Sequence, residues 1–503
     1  MPEPRVDPVV IVGAGPAGLT AAFMIAAQRR PVRVIEKDRQ VGGIARTVEY
    51  KGFRFDIGGH RFFTKVKAVN ELWRRMLGSD FLRRPRLSRI YYGSKFFDYP
   101  LKPMNALFGL GIWNALLAGL SYAWSHVHPI RPEVSVEDWV SNRFGRRLFR
   151  IFFKTYTEKV WGIPCNTISA QWAAQRIKGL SLWTAITSML FARFRRDKTT
   201  IKTLIDEFEY PRYGPGMMWE KFHEEVVRLG GRVDLDTRVS RLIHEHGVVT
   251  AVDVEHGGGG VERIPAAAVL SSMPLRELVH AMSPEAPREV RAAADALKYR
   301  DFITVALIVD APDLFPDNWI YIHDARVQVG RVQNFKNWSP DMVPDPRMSC
   351  VGLEYFCFEG DGLWTMSDSD LIELGRREMA LIGLLDASKV VDGTVVRMPK
   401  AYPVYDEGYE AALGTVRTYL GGFSNLQVAG RNGMHKYNNQ DHSMVTAMLA
   451  VQNLLGDHRD VWAVNADEEY HEELDFETED LVGDLRVLDD TQPMVPRAVE
   501  PQR

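Results

Sequence analysis

Six consecutive residues, Gly13-Ala14-Gly15-Pro16-Ala17-Gly18, have the types and spacing to hold a phosphate against bare backbone. They follow the apolar run Val9-Val10-Ile11-Val12. After them come an alanine-rich stretch, a second apolar run from Val32 to Ile35, and the acid Glu36. In the order strand, turn, helix, strand, acid, each part has its own task. Gly13 permits a tight turn, Gly15 lets backbone approach a pyrophosphate, and Gly18 lets the helix pack on the strand, while the helix N-terminus faces the phosphate charge. Glu36, about 20 residues on, stands where an acid bonds a ribose hydroxyl. The chemistry implied is retention of a dinucleotide, with Ala17 and Lys37 beside these residues in the candidate site.

The run Val41-Gly42-Gly43-Ile44-Ala45-Arg46-Thr47 places a second glycine pair directly after the acid, where a nicotinamide domain would continue into another helix. This run resembles the extended FAD fingerprint of glutathione-reductase-like flavoproteins. Leu426-Gln427-Val428-Ala429-Gly430 reads as a late buried strand ending in glycine. Arg238-Val239-Ser240 and Val269 to Pro274 are similar to the adenine-side and crossover strands of the same proteins. The resemblance implies non-covalent FAD held by Gly42, Gly43, Val239 and Gly430 as well as the first glycine turn.

Bulk properties fit a large enzyme. A chain of 503 residues has room for two or three domains, and its net charge of −3 gives no global attraction to nucleic acid. Twelve Lys and Arg lie between Arg143 and Lys198 against Glu158 and Asp197 alone, a local excess that suits a solvated helix face, an anionic ligand or a membrane surface. Three cysteines without CxxC spacing argue against a metal site or a disulfide framework and for a reducing, cytoplasmic setting. Leu107 to Trp124 is apolar but short and softened by glycines. It reads as a buried or amphipathic helix rather than a span, with peripheral membrane contact open. Oligomerisation is open too.

The glycine motifs sit near the start, middle and end, so the predicted fold is α/β. A discontinuous Rossmann-like FAD domain (1–80, 205–274 and 410–467) is interrupted by a helical insertion (81–204) and an antiparallel β-sheet substrate domain (275–409). An acidic, proline-bearing tail (468–503) follows. In the sheet domain, Phe302 to Val309 and Cys350 to Phe358 read as strands, and Gly257 to Gly260 in the FAD domain as a hairpin tip.

Further motifs lie in the insertions and in the FAD-domain segments that flank them: Asp56-Ile57-Gly58-Gly59-His60-Arg61-Phe62-Phe63-Thr64, Gly93 to Leu101, Tyr156-Thr157-Glu158-Lys159-Val160-Trp161-Gly162, Arg176, Tyr299-Arg300, Arg331 to Lys336, Tyr402-Pro403-Val404, and Gly430 to Asp441. Together they resemble UDP-galactopyranose mutases, flavoproteins on a scaffold shared with amine oxidases, protoporphyrinogen oxidases and carotenoid desaturases. The resemblance places Gly59, His60 and Arg431 against the flavin. It implies catalytic roles for His60, Arg300, Arg331, Arg431 and Tyr437, and substrate contacts for Trp161, Arg176, Arg331, Tyr402 and Tyr437. Trp161 is expected above the flavin and His60 beneath it.

These residue types suit a nucleotide sugar. Arginine grips phosphate oxygens in pairs and stays charged, and Trp and Tyr join an apolar face to a polar tip. The implied reaction interconverts pyranose and furanose rings through attack of reduced flavin N5 on the anomeric carbon, with no net redox change and NAD(P)H as one possible reductant. His435, Lys436, Phe63 and Gln440 depart from the mutase pattern. An FAD-dependent oxidoreductase of the amine oxidase, protoporphyrinogen oxidase or desaturase type is therefore the alternative, and a flavin-bearing binding protein the third.

Overall fold

The computed structural model describes residues 6–99, 101, 103–170 and 207–464. Its parallel sheet runs in the order Leu426–Val428, Ala268–Ser271, Val9–Val12, Val32–Ile35, Arg232–Asp234. The central strands are covered on both faces, which is why they read as unbroken apolar runs. Helix Pro16–Ala27 buries Ala17 through Ala26 and packs between helices Gly216–Arg228 and Gln440–Leu454. The ring of Phe23 meets that of Phe222 edge-on at 5.6 Å. Edge strand Arg232–Asp234 is only three residues long and carries no periodic pattern, so sequence reasoning missed it.

A four-stranded sheet follows, ordered Val261–Pro265, Val248–His256, Thr237–Glu245, Met282–Ser283, with the predicted tip at 257–260. The largest sheet has seven strands: Val390–Pro403, Tyr299–Val309, Ser349–Cys357, Arg331–Asn334, Trp319–Ile322, Ser88–Tyr92 and Lys95–Asp98. The predicted strands at 302–309 and 350–358 are thus present, a few residues longer or shifted.

Two expected boundaries need correction. Residues 81–98 fall within the range assigned to a helical insertion but are strands. Phe81–Pro85 pairs with Glu207–Pro211, and Ser88–Tyr92 adds in parallel to Trp319–Ile322. Without that partner, Trp319–Ile322 would be an edge with unpaired backbone groups. Residues 275–298, assigned to the sheet domain, are instead mainly helices Leu275–His280 and Arg288–Ala296. Their apolar face, Leu275, Leu278, Val279, Val290 and Ala294, joins the core of the parallel sheet.

Helices proper begin at Pro103–Leu110 and continue through Ile112–Val127, Val136–Phe144, Arg146–Phe149 and Thr155–Trp161. A capping box between Ser135 and Asp138 starts the third of these. Among the described residues no helix is long and apolar enough to cross a membrane. Residues 171–204 of the expected helical insertion, Arg176 included, and the acidic tail lie outside the described residues.

Candidate functional site

A cavity of about 1200 Å³ runs from the first glycine turn to the seven-stranded sheet. Pockets for single small molecules are commonly about 300–1,000 Å³, so there is room for a dinucleotide and a second ligand. At one end Gly13 sits at φ +99, and a Cβ there would meet Ser272 Oγ at 2.3 Å. A Cβ on Gly18 would strike the Gly13 carbonyl oxygen at 1.8 Å, so Gly18 serves helix-to-strand packing, as expected. Gly15 faces Gly43 with only backbone between them, and Gly42 and Gly43 both have positive φ. Helix Pro16–Ala27 has no side-chain cap at Gly15, so its first N–H groups remain available to an anion.

Glu36 is 8% exposed and lines the cavity. Its Oε2 accepts from the Ala14 N–H at 2.7 Å and its Oε1 from the Asp38 N–H at 2.9 Å. Burial raises its pKa, while these two backbone donors oppose the rise. Each oxygen retains acceptor capacity for a hydroxyl. Ala17, Lys37, Val239 and Gly430 line the same region. Gly430 is at φ +81, and a Cβ there would meet the Ala17 Cβ at 2.9 Å. Helix Gln440–Leu454 brings Gln440, Asp441 and Ser443 of its first turn to the cavity, and Gln440 Oε1 accepts from Trp219 Nε1 at 3.0 Å. The glycine cradle, the uncapped helix and the buried ribose acid fit FAD.

At the other end stands His60, whose Nδ1 lies 3.0 Å from the Gly58 carbonyl oxygen. A carbonyl can only accept, so Nδ1 carries the proton and Nε2 keeps the lone pair. Burial, then the charges of Arg431 and Arg331, push its pKa down to about 3, so the ring is neutral at neutral pH. A Cβ on Gly59 would meet Gln333 Nε2 at 2.7 Å, so the amide that donates to Glu354 would have to shift.

Arg331 and Arg431 both line this end. The Nε of Arg331 donates to Glu354 Oε2 at 2.6 Å, and its Nη2 pairs with the same oxygen at 2.5 Å. Gln333 Nε2 donates to Glu354 Oε1 at 2.6 Å. Burial alone would lower the Arg331 pKa, but the Glu354 charge leaves it raised well above the ordinary value. The Nε of Arg431 donates to the Asn438 carbonyl and its Nη1 to that of Ala401, both at 3.0 Å. The guanidinium sits 5.3 Å from the Tyr402 ring and 4.8 Å from that of Tyr437. Those two rings stack at 5.6 Å with an interplanar angle of 13°. In both arginines one Nη lies outside these hydrogen bonds.

Arg300 and Trp161 depart from expectation. Arg300 does not line this cavity. It is 6% exposed and donates to the carbonyls of Val160, Lys159 and Phe356, with burial lowering its pKa. Pairing of Tyr299–Val309 with Ser349–Cys357 and Val390–Pro403 turns its head away, toward the end of helix Thr155–Trp161. Trp161 packs in the core of the helical segment with Trp139, Phe149 and Cys165, and its ring is 6.2 Å from that of Tyr405, which does line the cavity. It therefore backs a wall rather than facing a ligand. Sequence reasoning missed Glu354 and Arg86. Arg86 lines the cavity 5.6 Å from the Trp319 ring. Neither residue belongs to a recognisable motif, so no local signal could have found it.

This fold and cofactor cradle are those of a flavoenzyme. The chain belongs to the family of flavin containing amine oxidoreductases, whose family model matches residues 16–440. Its fold superposes on a reduced UDP-galactopyranose mutase with TM-score 0.78 at 21% identity, covering 93% of this chain and 100% of the other. A putrescine oxidase superposes with TM-score 0.60 at 16% identity, covering 90% and 99%. An L-amino acid oxidase of Crotalus durissus cumanensis is 33% identical over 109 residues, which are 19% of this chain and 22% of that protein. The chain thus spans only about a fifth of the length of the curated relatives it matches first.

Proposed function

We propose that this protein is a flavin-dependent nucleotide-sugar mutase, interconverting pyranose and furanose forms of a sugar carried on a nucleoside diphosphate. The observation carrying this reading is the grouping of Arg331 and Arg431 with stacked Tyr402 and Tyr437 beside neutral His60, at the end of the cavity away from the dinucleotide cradle. Two fixed cations suit a diphosphate, and the stacked tyrosines suit its sugar and bridging oxygens. The full-length likeness to a mutase fold supports the same reading.

Bound FAD, in its reduced form, would supply the nucleophile for the anomeric carbon, and NAD(P)H is a candidate reductant. The glycine cradle, Glu36 and Val239 would hold the cofactor. Arg331 and Arg431 would hold the diphosphate after it departs, close enough to return to the sugar. Burial raises the Tyr402 pKa, so its hydroxyl stays protonated and donates. The Nε2 of His60 accepts from a hydroxyl. Arg176 is retained as a candidate substrate contact.

Arg331→Ala and Arg431→Ala should each weaken nucleoside diphosphate binding by about 1.5–3 kcal/mol, the scale of a charge-assisted hydrogen bond. Titration calorimetry measures this, and flavin absorbance should show cofactor content unchanged. Arg431→Lys should recover only part of the loss, since an ammonium lacks the paired geometry. The wild type should turn over nucleotide sugars after dithionite reduction without consuming an oxidant. The alternative, an oxidoreductase, draws support from the names of the family and of the oxidases above. It predicts bleaching of the flavin by substrate and peroxide in air. Normal nucleotide binding by both alanine variants, or none by the wild type, would decide for it.

A further inference from the structure

Helix Ile112–Val127 is inverted relative to a helix facing water. Its inward side carries Asn114, Ala118, Ser121 and Ser125, and Asn114 and Ser121 are engaged by helix Arg146–Phe149. Arg147 Nη2 donates to Asn114 Oδ1, and the Arg147 backbone N–H donates to Ser121 Oγ at 3.1 Å. A Cβ on Gly145 would meet the Tyr122 nitrogen at 2.7 Å, so the backbones are in close contact there. The outward side carries Ile112, Trp113, Leu116, Leu120, Trp124 and Val127, which range from 53% exposed at Leu116 to 89% at Ile112. Phe108, 74% exposed, continues the face into the preceding helix. Water selects the opposite arrangement, polar residues outside and large apolar residues inside. A contiguous apolar face of this kind marks a docking surface.

We propose that this face docks the protein onto an anionic lipid bilayer, lying in the plane of its surface. Length and charge both point to that occupant. Sixteen residues of helix reach about 24 Å, short of the ~30 Å hydrocarbon core, so the helix lies on the membrane rather than across it. No carboxylate occurs between Asp98 and Glu133, while Arg131, just past the end of the helix, and Arg146, in a helix packed against it, are exposed. Cations flanking an apolar face with two tryptophans suit the headgroup region of anionic lipids. Rings at the helix end join apolar bodies to polar tips, with Trp124 stacked on His128 at 4.2 Å. A second copy of the chain would bring the same arginines face to face, a like-charge contact. Residues 171–206 carry seven Lys and Arg against two Asp, so they also match this face in sign and do not complement it. The inference is independent of the substrate proposed above.

The test uses the full-length flavoprotein and sedimentation with vesicles of phosphatidylcholine, with and without phosphatidylglycerol. Expected is binding to the anionic vesicles, weakened at least about tenfold on neutral ones and by added salt. A Trp113→Glu/Leu120→Glu variant should lose at least about tenfold in affinity. Its flavin content and unfolding temperature should match the wild type, because both positions are exposed. Quenching by brominated acyl chains, read as the difference between wild type and Trp113→Phe, provides an arm that does not depend on the charged variant. Four results would each overturn the proposal. They are failure of the wild type to bind anionic vesicles, equal binding to both vesicle types, equal binding by the charged variant, and absence of lipid quenching at Trp113. A vesicle-free dimer that the charged variant makes monomeric would assign the face to a second copy instead. Shielding of Trp113 from acrylamide in the free monomer would assign it to residues 171–206.

Discussion

A single methyl group separates the roles of two glycines in the phosphate turn. At Gly15 the backbone is extended (φ −79, ψ −174), and a Cβ would come no nearer than 4.0 Å to the protein, at Gly43 Cα. Alanine fits the folded chain there, and its methyl group occupies the gap between the two glycine loops where a pyrophosphate would pass. Gly15→Ala should therefore fold with normal stability and bind FAD weakly, as read by flavin absorbance after gel filtration. At Gly18 the added carbon meets the Gly13 carbonyl at 1.8 Å, a backbone atom that cannot move aside cheaply. Gly18→Ala should lower stability by about 1–3 kcal/mol in urea unfolding, with or without flavin. Equal behaviour of the two variants would show that the turn does not divide its work this way.

At the scale of elements, the end of helix Thr155–Trp161 is held from two sides. Arg300 satisfies the carbonyls of Lys159 and Val160, and Lys159 extends its ammonium to the carbonyls of Ile322, Asp324 and Val329. Burial lowers the Lys159 pKa to about 8. Gly162 closes the helix at φ +68, with Arg300 Cζ 2.5 Å from where a Cβ would stand. The end of that segment, Lys159 to Gly162, thus joins the helical segment to the large sheet. Trp161→Ala should cost about 3–5 kcal/mol of stability, the range for a buried tryptophan. Nucleoside diphosphate affinity should change by less than about threefold, since the ring does not line the cavity. A large loss of binding with stability intact would restore Trp161 to the site. Nothing in the spacing of Lys159, Trp161 and Arg300 distinguishes a joint from a ligand contact, because both uses demand the same side chains, and only the facing strand shows which one applies.

Acid sensitivity is a property of the whole molecule. His323 and His435 are nearly fully buried, with burial pushing their pKa values down to about 3 and about 4. Between those values and the ordinary 6.5 the unfolded chain binds protons that the folded chain does not, so stability rises with pH across that window and is fully present above it. Acidification to pH 5 should cost up to about 2 kcal/mol per histidine. The unfolding temperature should fall between pH 7 and 5, and His435→Asn should flatten the slope. A flat profile in the wild type would contradict this placement of the two rings.

The first glycine turn, Glu36, the Gly42-Gly43 pair and the late strand were legible because their geometry is local. A φ above zero, a close backbone approach and a helix start are each written within a few residues. The motifs around His60, Arg331, Tyr402 and Arg431 were legible as candidates, and the chain itself brings them to one cavity. Tertiary structure alone decided their company. The strand pairing that sets Glu354 beneath Arg331, turns Arg300 away from the cavity and leaves Trp161 in a core depends on contacts between residues tens to hundreds of positions apart. The same holds for the helix Ile112–Val127, whose apolar residues fit a buried or an amphipathic helix alike and whose small, polar side is the one packed inward. Sequence determines which residues can hold charge, turn a chain or avoid water, whereas the direction each one faces is set by which distant backbone satisfies its neighbours' hydrogen bonds.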